Sequence, residues 1–222
     1  APVTPLLKKI DALKSVPDFI KLQMQYAAFS FGVPFGASFN ADERNASMNI
    51  LYLYQGGLTL GQKEYYLDTD KATVDIREAY KKHLIKMFQL FGFNAAQAKA
   101  KGEAVLRFET ALAKFSKSST ELRDVEANYN KMTLAQFKAK YPNLPVEALL
   151  NAEGIKSAYF QTLVVGQPAF FAGLNKLVTT WNLADRKAYM QWSVINSSTG
   201  YLSSAVEAEH FDFFGKTMRG KK

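Results

Sequence analysis

The sequence predicts a mainly α-helical fold, a multi-helix domain with one small β-hairpin near residues 34–54. Apolar side chains recur at helical spacing through most of the 222 residues, whereas strand-like runs are few and short. With 48% hydrophobic residues the chain can bury a substantial core. The length suits one domain, so we expect residues 1–222 to form a single helical domain.

The first elements begin at recognisable start signals. Thr4 followed by Pro5 predicts a helix start, with the threonine hydroxyl as cap and proline in the first turn. A second start at residues 15–17 opens another short helix. Two apolar runs, 34–40 and 48–54, flank a polar turn and predict the β-hairpin.

The rest of the chain is predicted to be helical, apart from a strand-like run at 163–165. A strong amphipathic pattern over residues 72–91 ends at Gly92, and Asn94 caps a helix that runs to about residue 115. Further helices are expected to start at Thr133, Pro145 and Pro168 and to occupy residues 183–195 and 203–214.

Residues 55–67, QGGLTLGQKEYYL, form the segment around which we expect the chain to be organised. Gly57 and its neighbour Gly56 allow the sharp turn that ends the second strand, and Gly61 allows another. Tyr65 and Tyr66 then provide large side chains that can anchor the following helix. We call this segment the corner.

The corner, preceded by Asp-Glu-Arg-Asn at residues 42–45, resembles the N-terminal region of the neprilysin family of zinc metallopeptidases, which includes the endothelin-converting enzymes. Gly61 stands where that family usually has proline. Four further segments resemble family motifs in the same order, namely FETALA at 108–113, YNKMTL at 129–134, VGQP at 165–168 and HFDFFGKTMRG at 210–220.

The resemblance implies that this chain is the non-catalytic helical lid region of a neprilysin-like zinc metalloendopeptidase and a fragment of a longer peptidase. Its partners would be the parent's own catalytic domain, which would carry the zinc, and small peptide substrates. Animal members of the family typically carry disulfides. The chain has no cysteine, so the resemblance points to a bacterial branch and an extracytoplasmic (periplasmic, surface or secreted) location.

Composition excludes several other functions. Without cysteine there is no disulfide, thiolate nucleophile or cysteine metal site. No apolar run is long enough to span a membrane. The net charge of +8 is spread over helix faces, so we expect no nucleic-acid partner. The alternative hypothesis is a stand-alone helical binding module that uses this basic surface.

The chain lacks the His-Glu-x-x-His motif that places two zinc ligands on one helix face. His83 lies on an apolar helix face, where a buried, hydrogen-bonded histidine is expected. Glu207 and His210 are one helical turn apart and could touch a metal, but a surface pair is the simpler interpretation. We therefore assign no catalytic residue, metal ligand or cofactor to this chain, and its substrate-binding residues stay unassigned.

Glu109 is the most informative charged residue, because it falls on the apolar stripe of its helix. A carboxylate there needs a partner. It could be a general base, but we favour a structural ion pair with Arg123 or Arg77. Together with Glu109 and Arg123, the structural candidates are Gln55, Gly57, Tyr65 and Tyr66; the glutamine and the tyrosines could face a cavity, but packing is their expected role.

Overall fold

The structure, a computed structural model, describes residues 2–221 and is mainly helical, as predicted. The helices are α1 (Thr4–Asp11), α2 (Val16–Gln25), α3 (Glu64–Leu67), α4 (Lys71–Leu90), α5 (Ala95–Ala113), α6 (Leu134–Lys140), α7 (Val146–Ala152), α8 (Pro168–Thr180), α9 (Leu183–Ser198), α10 (Ser204–His210) and a π-helix (Phe211–Thr217). The strands are β1 (Phe35–Asp42), β2 (Asn45–Gln55), β3 (Asn130–Thr133) and β4 (Thr162–Val165). Within residues 2–221, no helix is both long enough and apolar enough to cross a membrane.

The chain divides into two compact units, each built from separate segments. The helical unit contains the chain up to Leu22, Glu64–Thr110, and the chain from Asn182 onward. The sheet unit contains Gln23–Lys63 and Ala111–Trp181. The single-domain assignment stays a prediction, because compactness alone does not say whether the two units fold separately.

The helical unit packs its longest helices around a shared apolar core. Asp70 caps α4, accepting a hydrogen bond from the Thr73 backbone N–H at 3.0 Å. The predicted amphipathic face of α4 is buried, and Trp192 of α9 is among the largest fully buried side chains. Other buried core residues of this unit are Tyr80, Leu84, Met87, Phe88, Val105, Phe108, Met190, Ile195 and Phe213.

The sheet unit contains a four-stranded sheet in the order β1–β2–β4–β3. β1 and β2 form the predicted antiparallel hairpin, with Phe35 opposite Gln55. β4 adds parallel to β2, and β3 pairs antiparallel with β4. The predicted strand at 163–165 is therefore confirmed, and it extends the hairpin into a larger sheet. β1 lies at one edge of this sheet.

Two local predictions were wrong. The sequence did not indicate the strand β3 at Asn130–Thr133, although the helix predicted to start at Thr133 is confirmed, because Thr133 caps α6. That strand exists because β4 provides a partner backbone, and such long-range pairing leaves little local signal. Thr4 does not cap α1: the cap position is Val3, and no side chain caps this helix end, while Pro5 does lie in the first turn.

The last helix also differs from the sequence-based expectation. It was predicted as one helix over residues 203–214, but α10 ends at His210 and a π-helix follows. In the π-helix, the Phe211 ring lies so close to Gly215 that a Cβ there would be 2.7 Å from it. Widened turns of this kind are often found where a helix accommodates a bulky contact or a functional site.

The corner contains two glycines in the left-handed region of backbone conformation. Gly57 has φ of 81° and Gly61 has φ of 80°, and the Gly61 N–H donates to the Leu58 carbonyl at 3.0 Å. Proline fixes φ near −65° and has no N–H to donate. Gly61 therefore allows a backbone conformation that a proline at this position cannot adopt.

Replacing Gly61 by proline is expected to destabilise the chain by roughly 3 kcal/mol, because the substitution loses a hydrogen bond and forces φ away from its observed value. Gly61→Ala is the matched control. The alanine keeps the N–H, and its Cβ has no atom within 4 Å. Only the left-handed φ should therefore lower the unfolding free energy, by about 1 kcal/mol. Urea unfolding measures both. A proline variant as stable as the parent would contradict the left-handed φ of Gly61.

Candidate functional site

Gln55, the first residue of the corner, connects three segments of the sheet unit. Its side chain forms a pair of hydrogen bonds with the backbone of Lys117, donating to the carbonyl at 3.0 Å and accepting from the N–H at 2.7 Å. Its own backbone N–H donates to the side chain of Gln167 at 2.8 Å. Gln167 belongs to the VGQP motif, so two of the motifs recognised in the sequence meet here in a structural contact.

Asp42 forms a second connection between motifs in the sheet unit, and the sequence analysis missed it. Its carboxylate accepts hydrogen bonds from the Tyr129 hydroxyl and the Lys131 ammonium, both at 2.6 Å, and from the Arg44 backbone N–H at 3.0 Å. The Lys131 hydrogen bond, with those from Tyr129 and Arg44, lowers the pKa of the buried Asp42 carboxyl to about 2. Tyr129 and Lys131 both lie in the YNKMTL motif, so the motif was the feature of the sequence that could have pointed to this contact.

The predicted site residues Tyr66 and Glu109 come together in the helical unit. Glu109 is fully buried on α5, and its Oε2 atom accepts hydrogen bonds from the hydroxyls of Tyr66 at 2.7 Å and Tyr80 at 2.9 Å. Burial, together with the Glu109 charge, raises the pKa of Tyr189 well above its ordinary value. A carboxylate without solvent access cannot reach an external substrate, so this geometry favours a structural role over a general base.

The ion-pair partners predicted for Glu109 were wrong. Arg77 donates instead to the backbone carbonyls of Tyr65 and Asp68, both at 3.1 Å. Arg123 lies exposed on a short 3-10 turn of the sheet unit. Tyrosine hydroxyls are hard to predict as partners, because an aromatic residue on a helix face signals apolar packing first and hydrogen bonding second.

Truncating Glu109 to alanine is expected to cost roughly 3 kcal/mol of unfolding free energy, because two buried tyrosine hydroxyls lose their acceptor. Tyr66→Phe and Tyr80→Phe should each cost about 1 kcal/mol, since each removes one hydrogen bond and leaves the carboxylate its other donor. Chemical unfolding monitored by circular dichroism measures all three. An alanine variant as stable as the parent would contradict the structural role.

His83 is buried on α4, as the sequence predicted, and is hydrogen-bonded. Its Nδ1 atom lies 3.0 Å from Oε1 of Glu209, while its Nε2 atom has no hydrogen-bond partner within residues 2–221. The ring stacks on Phe213 at 4.8 Å and meets Trp192 edge-on. Burial, with a smaller effect of nearby His210, lowers the pKa of His83 to about 3, so the neutral ring donates Nδ1–H to the carboxylate.

These acidic and histidine side chains do not assemble into a metal centre. Among the residues that the structure describes, no three histidine, aspartate or glutamate side chains lie together in a way that could hold an ion. Glu209, rather than Glu207, is the acidic residue that contacts a histidine. Burial and the charge of Asp212 raise the pKa of Glu209.

Acid is expected to weaken the helical unit through His83. Its pKa is lower in the folded state than in the unfolded state, so its contribution to stability is lost as the pH falls from about 6.5 towards about 3. The slope should reach at most about 1.4 kcal/mol per pH unit. Glu209 acts in the opposite direction because its folded-state pKa is raised, so the measurement belongs in a Glu209→Gln background, which keeps an acceptor oxygen.

The unfolding free energies of Glu209→Gln and of the double variant with His83→Asn should be compared from pH 7 to pH 4. The double variant should show the shallower acid dependence, whatever its absolute stability. Equal slopes would contradict the assignment of a buried neutral His83.

Known proteins share the sequence pattern of this chain. The sequence model of peptidase family M13 matches residues 1–222. The chain belongs to peptidase family M13. Over 188 residues it is 30% identical to the endothelin-converting enzyme homolog of Locusta migratoria, covering 80% of this chain and 25% of that protein. It is 27% identical to the neutral endopeptidase of Lactobacillus helveticus over 184 residues, covering 82% of this chain and 28% of the relative.

Solved structures of M13 members share the fold. The zinc metalloprotease ZMP1 of Mycobacterium tuberculosis in its open state aligns over 99% of this chain and 34% of its own, with a TM-score of 0.90 and 24% identity. PEPO of Lactobacillus rhamnosis aligns over 99% of this chain and 35% of its own, with a TM-score of 0.78 and 19% identity. The chain thus spans about a quarter of the length of the curated relatives it matches.

Proposed function

We propose that this chain is the non-catalytic lid of an M13 zinc metalloendopeptidase, which closes a cavity where small peptides are hydrolysed. One observation carries the proposal: the family model matches the whole chain, yet the chain spans only about a quarter of the curated relatives. Those relatives are named as endopeptidases or endothelin-converting enzymes. The remaining length would hold the catalytic machinery.

The zinc expected of an M13 peptidase does not fit the residues of this chain. His83 is buried, and one ring nitrogen is engaged by Glu209 while aromatic rings pack around it. Within residues 2–221 no set of three suitable ligands exists. In the proposal, zinc and the general base come from the catalytic domain, and no chemical step passes through this chain.

The motif residues support a scaffolding role for the lid. Gln55, Asp42 and Glu109 each use their polar side chains to join segments within one unit. Such contacts make the lid rigid. A lid needs this rigidity if it is to exclude folded proteins and admit small peptides. The lid's partner would be the parent's own catalytic domain. The cysteine-free sequence and a bacterial relative support a bacterial parent, and an extracytoplasmic location is part of the proposal.

The stand-alone basic module has less support. Many of its cations are paired with carboxylates rather than presented as a continuous positive surface. Five of these pairs are Lys63–Glu121, Lys81–Glu103, Lys101–Asp11, Lys131–Asp42 and Lys138–Glu147. Weak retention on heparin at physiological salt would agree with this distribution.

The proposal is tested by expressing two proteins, this chain alone and the full reading frame that encodes it. The full protein should cleave a short fluorogenic peptide and lose that activity with a zinc chelator, whereas the chain alone should be inactive with or without added zinc. Zinc-dependent cleavage by the chain alone would contradict its non-catalytic role.

The lid role itself is tested by measuring whether the full protein selects its substrates by size. The full protein should cleave the short peptide but leave a stably folded protein intact. A deletion variant that lacks the lid residues should lose this discrimination while keeping zinc bound. Unchanged size selection in that variant would leave the family assignment standing and overturn the lid.

A further inference from the structure

The sheet unit contains an apolar groove along the open edge of β1. A cavity of about 320 Å³ is lined by five consecutive β1 residues, Phe35–Phe39. Side chains alternate across a strand, so three of these residues face one side of the sheet and two face the other. The cavity therefore runs along this part of β1, and it also meets Leu51 and Tyr54 of the neighbouring β2. Among the described residues β1 pairs only with β2, so its other edge has no strand beside it.

The sequence of β1 itself lacks the charged residues and proline that often protect an exposed edge, although Pro34 directly precedes it. Natural proteins block exposed edges with charged side chains, proline or bulges. Residues 35–41, FGASFNA, contain no charge and no proline, and the strand's irregularity comes only at its far end, between Ala41 and Asp42. An unprotected edge beside a cavity is a template for another extended backbone.

The wall opposite β1 is apolar and has one acidic group. Helix α7 contributes Val146, Leu149 and Leu150 to the cavity, and the chain after it contributes Glu153 and Ile155. The Glu153 side chain is exposed and forms no hydrogen bond or ion pair with the described residues. Desolvation by its neighbours raises the pKa of the Glu153 carboxyl. In a chain of net charge +8, a carboxylate without a partner at an apolar cavity favours a basic group on the ligand.

We propose that the β1 edge binds a short extended peptide as an additional strand, with an apolar side chain in the cavity and a lysine, arginine or terminal ammonium beside Glu153. The backbone of β1 supplies the affinity, and the two ends of the cavity supply the selectivity. At about 320 Å³ the cavity lies at the small end of ligand pockets. The unpartnered Glu153 favours a separate peptide with a basic group over a second β1 strand, because residues 35–41 contain no cation that could pair with it.

This site is independent of zinc and of the proposed lid function, since it consists only of residues of the sheet unit. If the chain is a lid, the groove would be a second contact for peptides away from the catalytic zinc. Peptide binding can therefore be measured on the chain alone, and its failure would say nothing against the lid.

The test measures the fluorescence anisotropy of short fluorescein-labelled peptides of valine and leucine with one lysine. A version with alternate backbone amides N-methylated should bind at least about tenfold more weakly, because it cannot pair with a strand edge. Replacing the lysine by glutamate should also weaken binding. Equal binding of the methylated peptide, or no saturable binding at all, would overturn the proposal.

Two variants locate the binding to the groove. Glu153→Gln should weaken binding of the lysine peptide by about threefold, whereas Glu43→Gln, which makes the same change in net charge at an exposed position outside the cavity, should not. Ala37→Trp places a ring from an exposed position of β1 into the groove and should abolish binding. Equal effects of the two glutamine variants would overturn the role of Glu153.

Sedimentation of the parent and of Ala37→Trp completes the test. We expect both to be monomers. A parent dimer that Ala37→Trp disrupts would mean that a second copy occupies the groove, and the peptide proposal would then be wrong.

Discussion

The helical unit depends on one constraint, which is that the buried carboxylate of Glu109 must have hydrogen-bond donors. A charged group without water is costly unless donors surround it. Tyr66, after the corner, and Tyr80, on α4, supply those donors to one carboxylate oxygen. Three segments distant in sequence are therefore held at hydrogen-bonding distance, and the aromatic core that includes Trp192 packs around them. The helices have apolar faces in any case, and the polar cluster fixes which faces meet.

The sheet unit uses the same principle with different chemistry. Asp42 joins the hairpin to β3 through Tyr129 and Lys131, and Gln55 joins β2 to two other segments. The residues that make the family recognisable are thus mostly structural connections. Sequence motifs in peptidases are often interpreted as chemistry, but these polar side chains satisfy hydrogen bonds whose loss would destabilise the fold.

Local patterns in the sequence predicted much of the fold. Apolar periodicity located α4, α5 and α9, and turn residues located the β1–β2 hairpin. These local patterns did not predict β3, because its four residues have no strand-like alternation of their own. They form a strand only through pairing with β4. The sequence predicted a partner for Glu109 but named the wrong residues, because opposite charge is visible in a sequence and the direction of a tyrosine hydroxyl is not.

By itself, the sequence determined the helical class, the burial of Glu109 and His83, the membership of a zinc metallopeptidase family and the lack of a His-Glu-x-x-His motif, because spacing and residue type suffice for these. Only the tertiary structure decided which side chains meet. It paired His83 with Glu209, brought Asp42 to two residues of a distant motif, and left the edge of β1 open beside an apolar cavity. Contacts between remote segments depend on how the chain packs in three dimensions, and no local pattern encodes that packing.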